Sequence, residues 1–565
     1  MQGILLPERQ CYCGKQYPTG SSFGRHSRGC PVFTSEDCKY LLRMLASLGT
    51  RPVPGDLFYR ALFPFRSWNE NGNETRRRVF ELPGIFTDRD RLDKAFKDAI
   101  TATAVWVTIG SSVPDADQGP SWAYMNFELP PDSRAFILTR CEPEDAWELH
   151  AARLVFHGFP IPDVDINFVE KGCIFLPFIL PLLQRLPVEK LLVDEIPSMI
   201  EVCISISHFG DDQTKNQALT MAQNLADRIA PSPLNFGIHL RQLTLSMLKG
   251  QTVSCSLLPG TDRKGNSQRA EMLLLDAQQS IECGRVSAAW YFINQWIPFH
   301  AAQPSGLENT MSSRLEYMKG KLHRFQGDFE TARLYFEPLS SQYPAPRVQF
   351  SSRLHLIAIY SELGLWEKAQ ALADKIKENA VTERQHRLYR LVQAELYLSR
   401  ALCGCEDELT LGQDLFTDIV REYEGLVPFG KTMRRNFFRA CFGLAAIGQL
   451  QRRGQPLFSA FTCLGGWQLA YLASRECLVT DEGFPDLVCH LSMAYAQWSV
   501  SGHLGPAIGK AEQVWATLSS RQLEQRFCFS NLGTRWVDTV SGWLETAGVP
   551  RIVPQYAHPA QTGVA

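Results

Sequence analysis

The sequence predicts a mainly α-helical protein: an array of helical hairpins over residues 270–530, preceded by an α+β middle region and a small metal-held element at the N terminus. Three observations predict it. Small residues, an aromatic and a proline recur at fixed offsets in Leu315–Pro344, and the pattern returns between Tyr360 and Ala373. Hydrophobic residues make up 45% of the chain and charged residues 21%, which gives each hairpin an apolar face to bury. Of the 16 cysteines, four (Cys11, Cys13, Cys30 and Cys38) crowd into the first 38 residues, while others such as Cys441, Cys463 and Cys489 stand singly in apolar helical settings.

Residues 1–38 are Gly-, Ser-, Arg- and Cys-rich, and they are too short to hold a core without a staple. Their spacing is Cys11-x-Cys13-x3-Tyr17-x5-Phe23-x2-His26-x3-Cys30. Two thiolates on a tight turn and two ligands one helical turn apart can meet at one tetrahedral zinc ion, and metal binding would then be folding. This pattern resembles a single finger of the two-Cys, two-His zinc finger family, with Cys as the fourth ligand. Tyr17 and Phe23 match the aromatic and large apolar positions that such a finger packs under its metal. The resemblance implies Zn2+ held by Cys11, Cys13, His26 and Cys30. One residue separates the first two cysteines where the family has two to four, so Cys38 or a water molecule remains an alternative to Cys11. The resemblance also implies DNA contacts from Thr19, Ser22 and Arg25, of which Arg25 is the guanine reader. A lone finger spans about three base pairs and needs support from dimerisation or basic flanks such as Arg28, Arg43 and Arg76-Arg77-Arg78.

Residues 39–84 read as one amphipathic helix (39–48), ended by Gly49 and prolines, and a basic irregular linker. Residues 85–260 read as mixed and mainly helical: a helix over 88–109, then a strand pair in 121–128 and 134–141, where alternation and β-favouring residues appear. The apolar run Cys173–Leu183 is too short to cross a bilayer, is interrupted by Pro177 and Pro181, and reads as buried core.

The array carries the clearest pattern. In its first strong unit Gly320, Gly327, Ala332, Phe336 and Pro344 are spaced so that two antiparallel helices approach over small residues, Phe336 fills the groove to the next unit, and Pro344 ends the second helix. Tyr360, Gly364, Ala369 and Ala373 repeat this, with Trp366-Glu367-Lys368 opening the second helix. A weaker copy surrounds Gly284 and Ala289, another uses Ala394, Tyr397 and Leu411–Tyr423, and further pairs are expected at 434–475 and 484–518. These offsets resemble tetratricopeptide repeats, which implies a continuous core between neighbouring units and a long concave face for a partner. Residues 531–565 are expected to be a tail.

Net charge is −2, but residues 1–78 hold 12 Lys and Arg against 6 Asp and Glu, so this end is +6 and the remainder −8. No secretory signal is visible at the start, and the expectation is a soluble intracellular protein with no membrane contact. No Gly-x-Ser-x-Gly elbow, His-Glu-x-x-His or phosphate loop occurs. Gly260–Ser267 lacks the phosphate-reaching lysine and reads as a surface loop, and no catalytic residue is assigned. His157 with Asp163, His208 with Asp211, and the Asp163-x-Asp165 triplet are the remaining polar constellations. A finger ahead of a helical body resembles, loosely, transcriptional regulators of filamentous fungi; Gly465-Gly466-Trp467 to Ala473 is similar to a small-residue helix of their middle domains. The leading expectation is a nuclear regulator that contacts DNA through the finger and proteins through the repeats, either alone or as a homodimer. The alternatives are a cytoplasmic or nuclear assembly scaffold and an enzyme in residues 80–260.

Overall fold

A computed structural model describes residues 35–555 except 102–104, 110–121, 140–143, 166, 187, 230–232, 250, 252–260, 283–284, 342–345, 381, 425–430, 453–456, 478–482 and 521–531. The described residues are mainly helical, with 22 α-helices and five short strands. The chain divides into two compact units, Met1–His239 and Leu240–Ala565.

The first unit opens with α1 (Glu36–Leu48). Its N-cap is Ser35, whose side chain accepts from the Cys38 backbone N–H at 3.2 Å, so the helix starts three residues earlier than apolar periodicity suggests. Cys38 is buried on the inner face of this helix. The linker expected to be irregular holds order. Strand β1 (Val53–Pro54) leads into α2 (Gly55–Arg60), and β2 (Phe65–Trp68) pairs antiparallel with β3 (Glu74–Arg77). The turn signal is Asn71-Gly72: Gly72 takes φ +67°, and the Asn69 side chain accepts from the Asn73 N–H at 3.0 Å.

Helix α3 (Arg89–Thr101) stops before the expected end, and Trp106–Ile109 is strand β4, because the β-branched run there pairs with β5 (Met125–Glu128) in the sheet order β1-β5-β4. Residues 134–139 of the expected second strand, 134–141, are instead part of α4 (Pro131–Thr139), and 140–141 lie outside the described residues. Pro131 sits at the first helical position, where its fixed φ suits a helix and its missing N–H costs nothing. Phe58, Phe86, Phe96 and Phe127 form the core between sheet and helices, with the Phe96 and Phe127 rings 4.1 Å apart. Helices α5 (Glu144–Gly158), α6 (Phe168–Arg185), α7 (Ile196–Ile206) and α8 (Asp212–Ala226) complete the unit. Pro177 and Pro181 lie within α6 without ending it. A buried pair, Arg153 Nη2 to Glu195 Oε2 at 3.0 Å, joins α5 to the segment before α7. The chain continues through α9 (Pro233–Leu248).

The second unit is a succession of helix pairs: α10 (Arg263–Glu282) and α11 (Val286–Ile293), α12 (Gly306–Gln326) and α13 (Phe329–Ser341), α14 (Pro346–Glu362) and α15 (Trp366–Asn379), α16 (Glu383–Leu402) and α17 (Leu409–Glu424), α18 (Lys431–Gln451) and α19 (Leu457–Cys477), α20 (Phe484–Ser501) and α21 (Ala507–Ser520). Each helix packs on the next. From α10 to α18, the first helix of each pair also touches the first helix of the following pair. Gly320 faces α13 so closely that a Cβ there would lie 2.9 Å from the Tyr335 Cβ and 3.1 Å from the Phe336 ring. Gly327 and Gly364 close the first helices of their pairs in the left-handed conformation, φ +83° and +73°. Ala332, Phe336, Ala369 and Ala373 are fully buried.

Two expectations fail here. Arg263, Gly265 and Ser267 belong to the first turns of α10 rather than to a loop, since the Asp262 carboxylate caps the Gly265 N–H at 2.6 Å. The expected tail contains a further helix, α22 (Leu532–Thr546), which packs against α20 and α16 and buries Trp536 beside Phe442 and Trp467. No helix among the described residues is long and apolar enough to cross a membrane.

Candidate functional site

The residues expected to bind metal (Cys11, Cys13, His26 and Cys30) and DNA (Thr19, Ser22, Arg25 and Arg28) lie outside the described residues. Gly284 and Pro344 also lie outside them. Among the described residues no group of three or more His, Cys, Asp or Glu is arranged to hold a metal ion. Of the basic triplet, Arg76 binds Glu74 at 3.0 Å, and Arg78 donates to the Leu62 carbonyl at 3.4 Å.

In the other polar constellations, His157, Asp165 and Asp211 each bind a backbone group. His157 Nε2 lies 2.8 Å from the Phe63 carbonyl oxygen, so that nitrogen carries the proton; the bond is to a backbone group rather than to Asp163. Asp163 holds a left-handed φ of +64°, while Asp165 accepts from the Ile161 N–H at 2.7 Å and from Arg60 at 2.9 Å. Asp211 is the N-cap of α8, accepting from the Thr214 N–H at 2.8 Å. That bond holds its carboxyl below the usual range. The His208 ring packs edge-on against Phe168.

In the second unit, a row of buried and half-buried polar side chains runs along the first helices of successive pairs. Arg324 on α12 points at His355 Nδ1 on α14, and His355 Nε2 lies 3.1 Å from the Tyr317 hydroxyl. Because an arginine cannot accept, Nδ1 must be the acceptor and Nε2 the protonated nitrogen. Burial first, and the Arg324 charge second, hold His355 well below its ordinary pKa. Burial pushes the Tyr317 phenol up to about 12. Further along, Arg439 grips Glu395 with two bonds of 2.8 and 2.7 Å, and the Ser361 and Ser399 hydroxyls meet at 2.9 Å. Arg535 on α22 enters this row: it donates to Glu362 Oε2 at 3.3 Å and to the carbonyls of Ser361 and Glu362 at 3.2 and 3.1 Å. Its charge balances a fully buried glutamate, and the chain's own helix therefore occupies this side of the later pairs.

A different surface stands out at the start of the array. After α11 the chain runs through Gln295–His300 and leaves Ile297 73% and Phe299 52% exposed, with Tyr291 of α11 also exposed. This segment is fixed from beneath. The Trp296 indole donates to the Asn266 carbonyl at 2.9 Å, and the Asn266 amide donates to the Ile297 carbonyl at 3.1 Å. The Phe299 N–H donates to Glu308 Oε1 at 2.5 Å. Glu308 is fully buried and forms a capping box with Ser305 at the start of α12. Burial pushes its carboxyl up, but the N–H donors of Ser305 and Phe299 outweigh that and hold it below the ordinary range. The sequence reading missed this surface. Its signal was Ser305-x-x-Glu308, a capping box standing just after Trp296-Ile297-Pro298-Phe299.

No family model, curated protein or solved structure matches the chain.

Proposed function

We propose that this protein is a tetratricopeptide-type assembly scaffold or adaptor that docks partner proteins on the first helical pairs of its array. The carrying observation is the pair Ile297 and Phe299, exposed on a segment that Asn266 and the buried Glu308 fix through its backbone. Exposed apolar side chains on a rigid segment lose little conformational freedom when covered, which suits them to anchor a protein contact. The small-residue spacing at Gly320 and Ala332 supports the tetratricopeptide reading, as does its return at Gly364 and Ala369. The test compares the full chain with the double variant Ile297→Ser, Phe299→Ser by quantitative affinity purification. The expected result is loss of the partner set at unchanged helicity. The same partners at the same yield would refute the docking surface.

A second reading, a nuclear transcriptional regulator, rests on the ligand spacing of Cys11, Cys13, His26 and Cys30 around Tyr17 and Phe23. In it, Zn2+ folds the finger, Thr19, Ser22, Arg25 and Arg28 approach DNA, and the array carries the co-regulator. This reading expects one zinc per chain and salt-dependent DNA retention that disappears in Cys13→Ala, His26→Ala. A metal-free native chain would remove it and leave the scaffold standing.

A further inference from the structure

The first unit contains a cleft of about 330 Å3 between α2, the β2–β3 hairpin, the end of α5 and the start of α6. Its polar groups are ordered from behind. Asp165, buried and held by the Ile161 N–H, fixes the Arg60 guanidinium at 2.9 Å, with Arg66 3.8 Å from the same carboxylate. Lys171 pairs with Asp56 at 2.8 Å. Arg66 and Arg76 are cross-strand partners on the hairpin, and both bind Glu74: Arg66 through two bonds of 2.9 Å, Arg76 through its Nε at 3.0 Å. Four cations thus meet three carboxylates, and the excess positive charge lies where two guanidiniums share one glutamate. The Arg76 side chain is 66% exposed there, so its Nη hydrogens face water.

The remaining wall is apolar. Phe63, 65% exposed, stands at the mouth, and Phe65 and Phe159 lie deeper. His157 lines the cleft with its ring neutral: burial holds it below its ordinary pKa, and its Nε2 proton is given to the Phe63 carbonyl. Its buried Nδ1 meets no donor among the described residues and is left as an acceptor.

We propose that this cleft binds a small organic anion, its apolar ring or chain against Phe63 and its carboxylate or phosphate against the Arg66–Arg76 pair. An exposed aromatic beside a guanidinium pair with surplus charge fits a molecule that has both an apolar body and an acidic end. A planar acid takes the arginine fork in two parallel bonds. The volume suits a ligand at the small end of the usual range. The site is independent of partner docking by the helical array.

The test titrates the full chain by calorimetry with phenylacetate, phenyl phosphate, inorganic phosphate and the neutral 2-phenylethanol. At least one aromatic anion is expected to bind about tenfold or more tightly than both the neutral compound and inorganic phosphate, and the tighter of the two identifies the acid group. Arg76→Ala and Phe63→Ser should each weaken that anion by about fivefold or more, whereas Arg77→Ala, on the same strand but away from the cleft lining, leaves it unchanged. Equal binding of 2-phenylethanol, an unaffected Arg76→Ala, an equal loss in Arg77→Ala, or no binding of either aromatic anion at millimolar concentration overturns the proposal. Arg76 and Phe63 are surface residues, and circular dichroism of each variant checks that the fold is retained.

Discussion

His490 on α20 is 5% exposed, with its ring 4.9 Å from that of Tyr471. Burial, then the charges of Lys510 and Arg475, lower its pKa to about 4. Released by unfolding, the same ring titrates near 6.5. The unfolded chain therefore takes up a proton between about pH 6.5 and 4 that the folded chain refuses, and stability present above that window is lost on acidification. His355 acts in the same direction. The urea midpoint of unit two should fall between pH 7 and pH 4.5, and His490→Phe should shrink that fall without abolishing it. An undiminished fall in the variant would place the acid sensitivity elsewhere. None of this was visible in the sequence, where a histidine amid apolar residues reads the same whether it is buried or exposed.

At the level of the helix pair, the small residues set the distance. Gly320 lets α12 lie against Tyr335 and Phe336 of α13, and a valine there would push its methyl groups into both. Gly320→Val is expected to cost about 1–3 kcal/mol, read as a lowered melting temperature, because overpacking a close crossing forces the backbone apart. An unchanged melting temperature would mean that the pair relaxes freely. This level was the most legible in the sequence. The Gly, Ala and Phe offsets placed α12 to α15, and Trp366 does open α15. The middle region was less legible, because local preference competes there with pairing. Trp106, Val107, Thr108 and Ile109 continue a helical pattern on paper, yet they extend as soon as Met125–Glu128 offers a partner strand. Arg134–Thr139 looks β-prone, yet it follows Pro130-Pro131 into a helix. The anion cleft was illegible for a related reason: Arg60, Arg66, Arg76 and Asp165 are up to 105 residues apart and meet only through the hairpin and the turn after α5.

For the unit as a whole, α22 matters most. It contributes Trp536, Val537, Val540 and Leu544 to the core shared by α16, α18, α19 and α20, and Trp536 donates to the Ser492 hydroxyl at 2.8 Å. Trp536→Ala should cost about 3–5 kcal/mol. A chain stopped after residue 531 should lose cooperative unfolding and bind a hydrophobic dye; a truncated chain that melts like the full one would show α22 to be dispensable. The order of synthesis then acquires a meaning. The ribosome delivers the helices that α22 covers before it delivers α22, so residues 502–546 must still be added while Phe442, Trp467 and Val488 lack their cover. At about 5–20 residues per second this exposure lasts on the order of several seconds, long enough for a chaperone to engage the nascent chain.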